Sequence, residues 1–179
     1  MREDVFLFIN SPLEAVNHHF IDELVSQAMR TECGIVTGIS INVEHRIIHS
    51  GLLMTSTGEL ADSFAGREFP IQDYTAKLFA GTRNVHSINE YFFAVRREHL
   101  AAVGGLAACS ASHMARLAGK LCNHAREHGL RILVTPYAVA TFESAPPVAA
   151  VDEADVWQCV SKFWLKTAIT KGKTPHRES

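Results

Sequence analysis

The stretch from Ser112 to Val139, "SHMARLAGKLCNHAREHGLRILVTPYAV", constrains the fold more than any other part of this chain. Met114, Leu117, Leu121, Cys122 and Ala125 recur every three or four positions, so they share one face of a helix. Gly129 follows as a helix-stopping glycine. "LRILVTPYAV" then runs apolar for the length of a buried strand. A helix that feeds its chain directly into a buried strand is a unit of layered α/β architecture.

The same alternation recurs upstream. "DVFLFI" (Asp4 to Ile9) reads as a buried strand stopped by the turn chemistry of "NSP". Phe20, Ile21, Leu24, Val25 and Ala28 form a helical stripe within 17–30, with Asn17 placed to cap it. "CGIVTGISIN" (Cys33 to Asn42) is a strand, and "IIHSGLLM" (Ile47 to Met54) is its hairpin partner. Thr55 to Pro70 reads as a long loop, "IQDYTAKLFA" as a short helix, and Val85 to Arg97 as a strand. "REHLAAVGG" is a short helix ended by Gly104 and Gly105. The expected organisation is an α/β domain over 1–145. A proline-rich linker, an amphipathic helix and a tail follow over 146–179.

Composition excludes several classes. Seventeen Lys+Arg against nineteen Asp+Glu leave a net charge of −2, so no global field draws the chain to nucleic acid. No apolar run approaches bilayer length, and the start has no cationic segment leading into a long apolar one. The four cysteines, Cys33, Cys109, Cys122 and Cys159, are scattered without a C-x-x-C, which suggests a reducing, cytoplasmic setting. The C-terminal stripe of Val156, Trp157, Val160, Phe163, Trp164 and Ala168 reads as core packing. With Lys162, Lys166, Lys171 and Lys173 nearby, its other reading is peripheral membrane contact.

His124 to His128, "HAREH", matches the H-x-x-E-H pattern of one class of zinc peptidases. Its plainer reading is a helix end, where His128 meets the negative end of the helix dipole just before Gly129. No metal ligands are assigned from sequence.

An ordered set of pieces carries a sharper signal. "LFINSPLEAV", "FIDELVSQAMRTECGIVTG" and "RIIHSGLL" are followed by "RNVHSINEYFFAVRREHLAAVGG", "REHGLRILVTPYA" and "FES". Their order and spacing resemble the second half of family-2 glycosyltransferases of the GT-A fold, many of which serve O-antigen and rhamnan synthesis. The resemblance implies a truncated GT-A-like mixed sheet flanked by helices, and a role in surface-glycan synthesis. It places the HAREH histidines on scaffold positions.

The functional positions depart from that family. Where it carries an acidic D-x-D-like element for the metal-bound diphosphate, this chain has Asn10 and Ser11, then Pro12. The acceptor-side "TGA" is replaced by Asn89-Glu90-Tyr91, and "GGFDE" by Gly104-Gly105 followed by Leu106, Ala107 and Ala108. The "DVD" with the expected base is replaced by Ala118-Gly119-Lys120, and the "HHES" histidine by Phe142 before Glu143-Ser144. His49-x-Gly51, Arg96-Arg97, Gly104-Gly105 and Pro136-Tyr137 keep the scaffold pattern. Sugar transfer with inversion needs a carboxylate base and positive charge on the leaving diphosphate. Glu90 and Glu143 are the acids nearest the expected places.

The resemblance therefore implies a glycosyltransferase-like chain, non-catalytic by itself, with no cofactor expected. The alternative is an active enzyme using manganese or magnesium and a nucleotide sugar, with a second chain completing the site. A third reading is a protein-binding scaffold built on Tyr91 to Phe93. The family's nucleotide-binding half would precede "DVFLFIN". A sheet without those strands exposes an apolar edge, which implies a homo-oligomer or a partner chain covering it.

Overall fold

The computed structural model describes residues 4–62, 64–72, 76–105 and 114–143, and every structural statement below concerns those residues. The expected linker and amphipathic C-terminal helix, and Cys109 and Cys159, lie outside them. Strand β1 is Val5–Ile9, β2 is Glu14–Ala15, and helix α1 is Phe20–Ala28. Strand β3 is Cys33–Asn42, followed by β4 (Ile47–His49), β5 (Leu52–Met54), β6 (Leu60–Asp62) and α2 (Ala76–Phe79). Next come β7 (Arg83–Asn84), β8 (Phe92–Arg96), α3 (Arg97–Ala102), α4 (Met114–Glu127) and β9 (Arg131–Phe142).

The described strands form a seven-stranded mixed sheet in the order β1-β8-β3-β9-β2, with β4 on β3 and β7 on β9. Only β3 and β9 pair in parallel, while β8 runs against both β1 and β3. Strands β1, β3 and β9 therefore point the same way. An α/β protein with a mixed sheet is thus present.

The pleat sorts side chains to two faces. From β8, Phe92 and Ala94 join Phe20, Leu24 and Ala28 of α1 on one face. Phe93 and Val95 join Leu117, Leu121 and Cys122 of α4 on the other. In β3, Val36 packs toward α1, whereas Ile35 and Ile39 pack toward α4. The helical stripe read from Met114 to Ala125 is buried at all five positions. At the centre, β3 and β9 shift register between Thr37 and Ile39. An added Cβ at Gly38 would stand 1.9 Å from the Ala138 carbonyl oxygen, so only glycine lets these backbones approach so closely.

Five local expectations change. Asn17 does not cap α1: the N-cap residue is His19, and no side chain makes a cap bond there. Asn17 instead donates from Nδ2 to the Tyr137 carbonyl, joining the α1 entry to β9. Ile21, read as part of the apolar face, is 56% exposed. The single strand read from Ile47 to Met54 breaks at Ser50-Gly51, where Gly51 takes φ +94. Strand β4 stays with β3, while β5 leaves to form a separate ribbon with β6. The stretch read as loop holds β6, and the strand read from Val85 begins only at Phe92. Local hydrophobicity does not report the 86–91 backbone. Its N–H groups at His86 and Ser87 bond to Leu52, and that of Asn89 bonds to a side chain. No helix among the described residues is long and apolar enough to cross a membrane.

Candidate functional site

Topology gathers most of the singled-out residues at one end of the sheet. Strand β1 lies at one edge and β2 at the other, with only residues 10–13 between them. Asn10, Ser11, Pro12 and Leu13 form the strap that joins them, and Leu13 packs against the core on the α1 side of the sheet. Two backbone bonds anchor it: Asn10 N–H donates to the Tyr91 carbonyl at 2.9 Å, and Val16 N–H donates to Val139 at 2.9 Å.

Beneath the strap, Tyr91 precedes β8, and Glu143 follows β9. The Tyr91 and Phe142 rings lie 5.4 Å apart, which ties those two chain segments together. The structure thus brings Asn10, Ser11, Asn89, Glu90, Tyr91 and Glu143 to the carboxyl ends of β1, β3 and β9. That is the end of an open α/β sheet where ligands bind. Glu143 and Asn10 are exposed, whereas Asn89 and Glu90 are half-buried. Burial pushes the Tyr91 phenol up, and the Glu90 carboxylate adds to that.

Two expected positions stand differently. Gly105 follows α3, which leaves from the other end of β8, and a Cβ added there would meet nothing within 4 Å. Ala118, at a position where the resemblance leads one to expect a base, is buried in the core on α4, while Lys120 is exposed. Among the described residues, no group of three His, Cys, Asp or Glu side chains is placed to hold a metal ion. Asn10 and Ser11 offer only neutral oxygens, so the strap does not fit the divalent cation that the family resemblance brings with it.

The HAREH segment ends α4 as a helix end. The Nδ1 of His128 lies 2.9 Å from the His124 carbonyl, so the ring closes the last turn. The His99, His124 and His128 rings meet in series at tilted angles, with centroids 5.5 and 4.2 Å apart. Burial and the nearby His128 push the His124 ring below its ordinary value. His124 is half-buried, because α3 brings His99 against it. Burial also pushes the Cys33 thiol up to about 12, which leaves it unreactive.

One cluster escaped the sequence reading. Asp62, at the end of β6, is fully buried and accepts from four donors. The Ser50 N–H and hydroxyl each donate at 2.5 Å, the Phe64 N–H at 3.2 Å, and His49 approaches through Nδ1 at 3.0 Å. The other ring nitrogen of His49, Nε2, accepts the Asn89 N–H at 3.2 Å. A ring nitrogen that accepts carries no proton, so His49 is the neutral Nδ1–H tautomer. Nearby, the Arg83 guanidinium donates to the Ser50 carbonyl at 2.7 Å and lies between the Phe64 and Phe79 rings. Burial pushes Arg83 down to about 10, and Asp62 opposes that. Burial also pushes the Asp62 carboxyl up, but the hydrogen bonds from His49 and Ser50 outweigh it and hold the group below its ordinary value. The sequence clue was "LADSFA", a lone acid between apolar pairs inside a polar stretch.

Comparison with known proteins gives one informative likeness. The chain is 30% identical to the O-antigen biosynthesis protein RfbC of Myxococcus xanthus, over 97% of its own length. It spans 14% of that protein's length. No protein-family profile matches the chain. The likeness links the chain to a relative in polysaccharide synthesis.

Proposed function

We propose that this chain is a glycosyltransferase-like unit of surface-glycan synthesis, of the GT-A, family-2 type, that does not catalyse sugar transfer by itself. The carrying observation is the strap. Asn10 and Ser11 follow the carboxyl end of β1, where this reading calls for a metal-binding acid, and they bring no charge. The relative's printed role in O-antigen biosynthesis supports the pathway. On this reading the chain works in the cytoplasm with a partner chain or a second copy over the open side of β1. Calorimetric titration with nucleoside diphosphates and their sugars, with and without manganese, tests the reading. It predicts no heat from folded protein, and metal-dependent micromolar binding overturns it.

The placement of Glu90 and Glu143 at the same sheet end favours one alternative, an active sugar-nucleotide-dependent transferase completed by a second chain. In that case either carboxylate takes the proton of the acceptor hydroxyl, and manganese or magnesium comes with the donor. Transfer by a reconstituted complex that is lost in Glu90→Gln or Glu143→Gln would establish this alternative.

A further inference from the structure

The strap and the segment before β8 are joined to the buried cluster by an unbroken series of hydrogen bonds. Asp62 holds the Nδ1 side of His49 at 3.0 Å. Nε2 of His49 accepts the Asn89 N–H at 3.2 Å. The Asn89 side-chain oxygen accepts the Tyr91 N–H at 3.1 Å, and the Tyr91 carbonyl accepts the Asn10 N–H at 2.9 Å. The His49 and Tyr91 rings also meet edge to face, 6.3 Å between centroids.

We propose that His49, clamped by Asp62, is a positioning residue that sets the backbone of Asn89 to Tyr91, and through Tyr91 the strap at Asn10. Three features argue for it. The 86–91 segment makes no regular ladder, so its shape depends on a few individual bonds. The imidazole is held on both nitrogens while 1% exposed, which leaves it one orientation. Asp62 is over-determined by four donors, so it works as a fixed post. The arrangement parallels the way outer carboxylates orient histidines in other sites, except that here the ring holds a backbone amide. Only the use of the positioned segment rests on the functional reading above.

Two substitutions separate the two nitrogens. His49→Gln keeps an acceptor near the Nε2 position and gives up the bond to Asp62. His49→Asn keeps a donor near Nδ1 and gives up the bond to Asn89. The expected result is faster amide exchange at Asn89 in His49→Asn, by about tenfold, with shifted amide resonances at Tyr91 and Asn10. His49→Gln should retain Asn89 protection and unshifted Asn10 and Tyr91 amides. Unchanged Asn89 protection in a folded His49→Asn protein overturns the proposal. If neither variant folds, long-range proton–nitrogen spectra of the wild-type ring decide it. An Nδ1-protonated ring with a bare Nε2 supports the proposal, and an Nε2-protonated ring overturns it. Titration of wild-type protein and His49→Asn with uridine diphosphate reads the site separately. Absence of binding to both, alongside the expected amide changes, leaves the positioning role in place and speaks only to the ligand.

Discussion

Strands β1 and β9 read alike in sequence, as apolar runs fit for the middle of a sheet, yet they occupy opposite circumstances. Strand β9 lies between β3 and β2, and Ile132, Leu133 and Val134 are buried at 3% exposure or less. Strand β1 pairs only with β8, so Val5, Phe6, Leu7 and Phe8 stay half-buried and Ile9 is 49% exposed. A strand apolar on both faces normally sits inside a sheet. At an edge its unpaired backbone and half-covered side chains form a template for another strand. The comparison teaches that the same local pattern gives stability at β9 and an unfinished surface at β1.

The largest effect that would sharpen this contrast comes from Gly38→Ala at the β3–β9 contact. The added methyl meets the Ala138 carbonyl, and the backbone must shift. Loss of more than about 4 kcal/mol is expected, seen as loss of the cooperative thermal transition. Next, Leu133→Ala in β9 should cost about 2–5 kcal/mol in denaturant titration, because it opens a cavity under α1. The matching change in β1, Leu7→Ala, should cost about 1–2 kcal/mol, since that side chain is only half-covered. Equal costs at the two positions would break the comparison.

Acid should loosen the centre at its amino end. Burial, followed by the Arg96 guanidinium, pushes the His99 ring below 6.5, and its hydrogen bond to the Cys33 backbone at the start of β3 opposes this. The unfolded chain then binds a proton that the folded chain resists, so stability is complete above about pH 6.5 and falls as pH drops below it. Thermal melts at pH 7.5 and 5.5 should show the lower midpoint at pH 5.5, and the difference should shrink in His99→Gln. The smallest effect belongs to Ile9→Lys. It should leave the isolated chain within about 0.5 kcal/mol of wild type, because that side chain is already in water. It should nevertheless weaken any association through β1, measured by sedentation-equilibrium or light-scattering mass.

Much of this was legible in the chain. Residues 33–42 were read as a strand and fold as one over the same span, because a stretch so rich in Ile, Val and Thr favours a strand. The α4 stripe was legible because helical periodicity over fourteen residues is a strong signal. The convergence of Asn10, Glu90, Tyr91 and Glu143 was legible only as a list of positions, since no local pattern states that Tyr91 bonds to Asn10 and packs against Phe142. Asp62 was not legible as a post. Its role depends on Ser50 and His49, twelve and thirteen residues back, and on a strand break at Gly51 that hydrophobicity does not encode.

The sequence by itself determined the alternation of helices and strands, the apolar faces of α1 and α4, and the uncharged character of Asn10 and Ser11 after β1. These are properties of residue type and spacing, which act over one or two turns of chain. Tertiary structure alone decided that residues 10–13 link the two edge strands, that among the described residues β1 pairs on one side, and that His49 turns one nitrogen to Asp62 and the other to Asn89. Each of these depends on strand order and on pairings between distant segments, and the free energy of such pairings comes from burial and from satisfying polar groups that no local pattern contains.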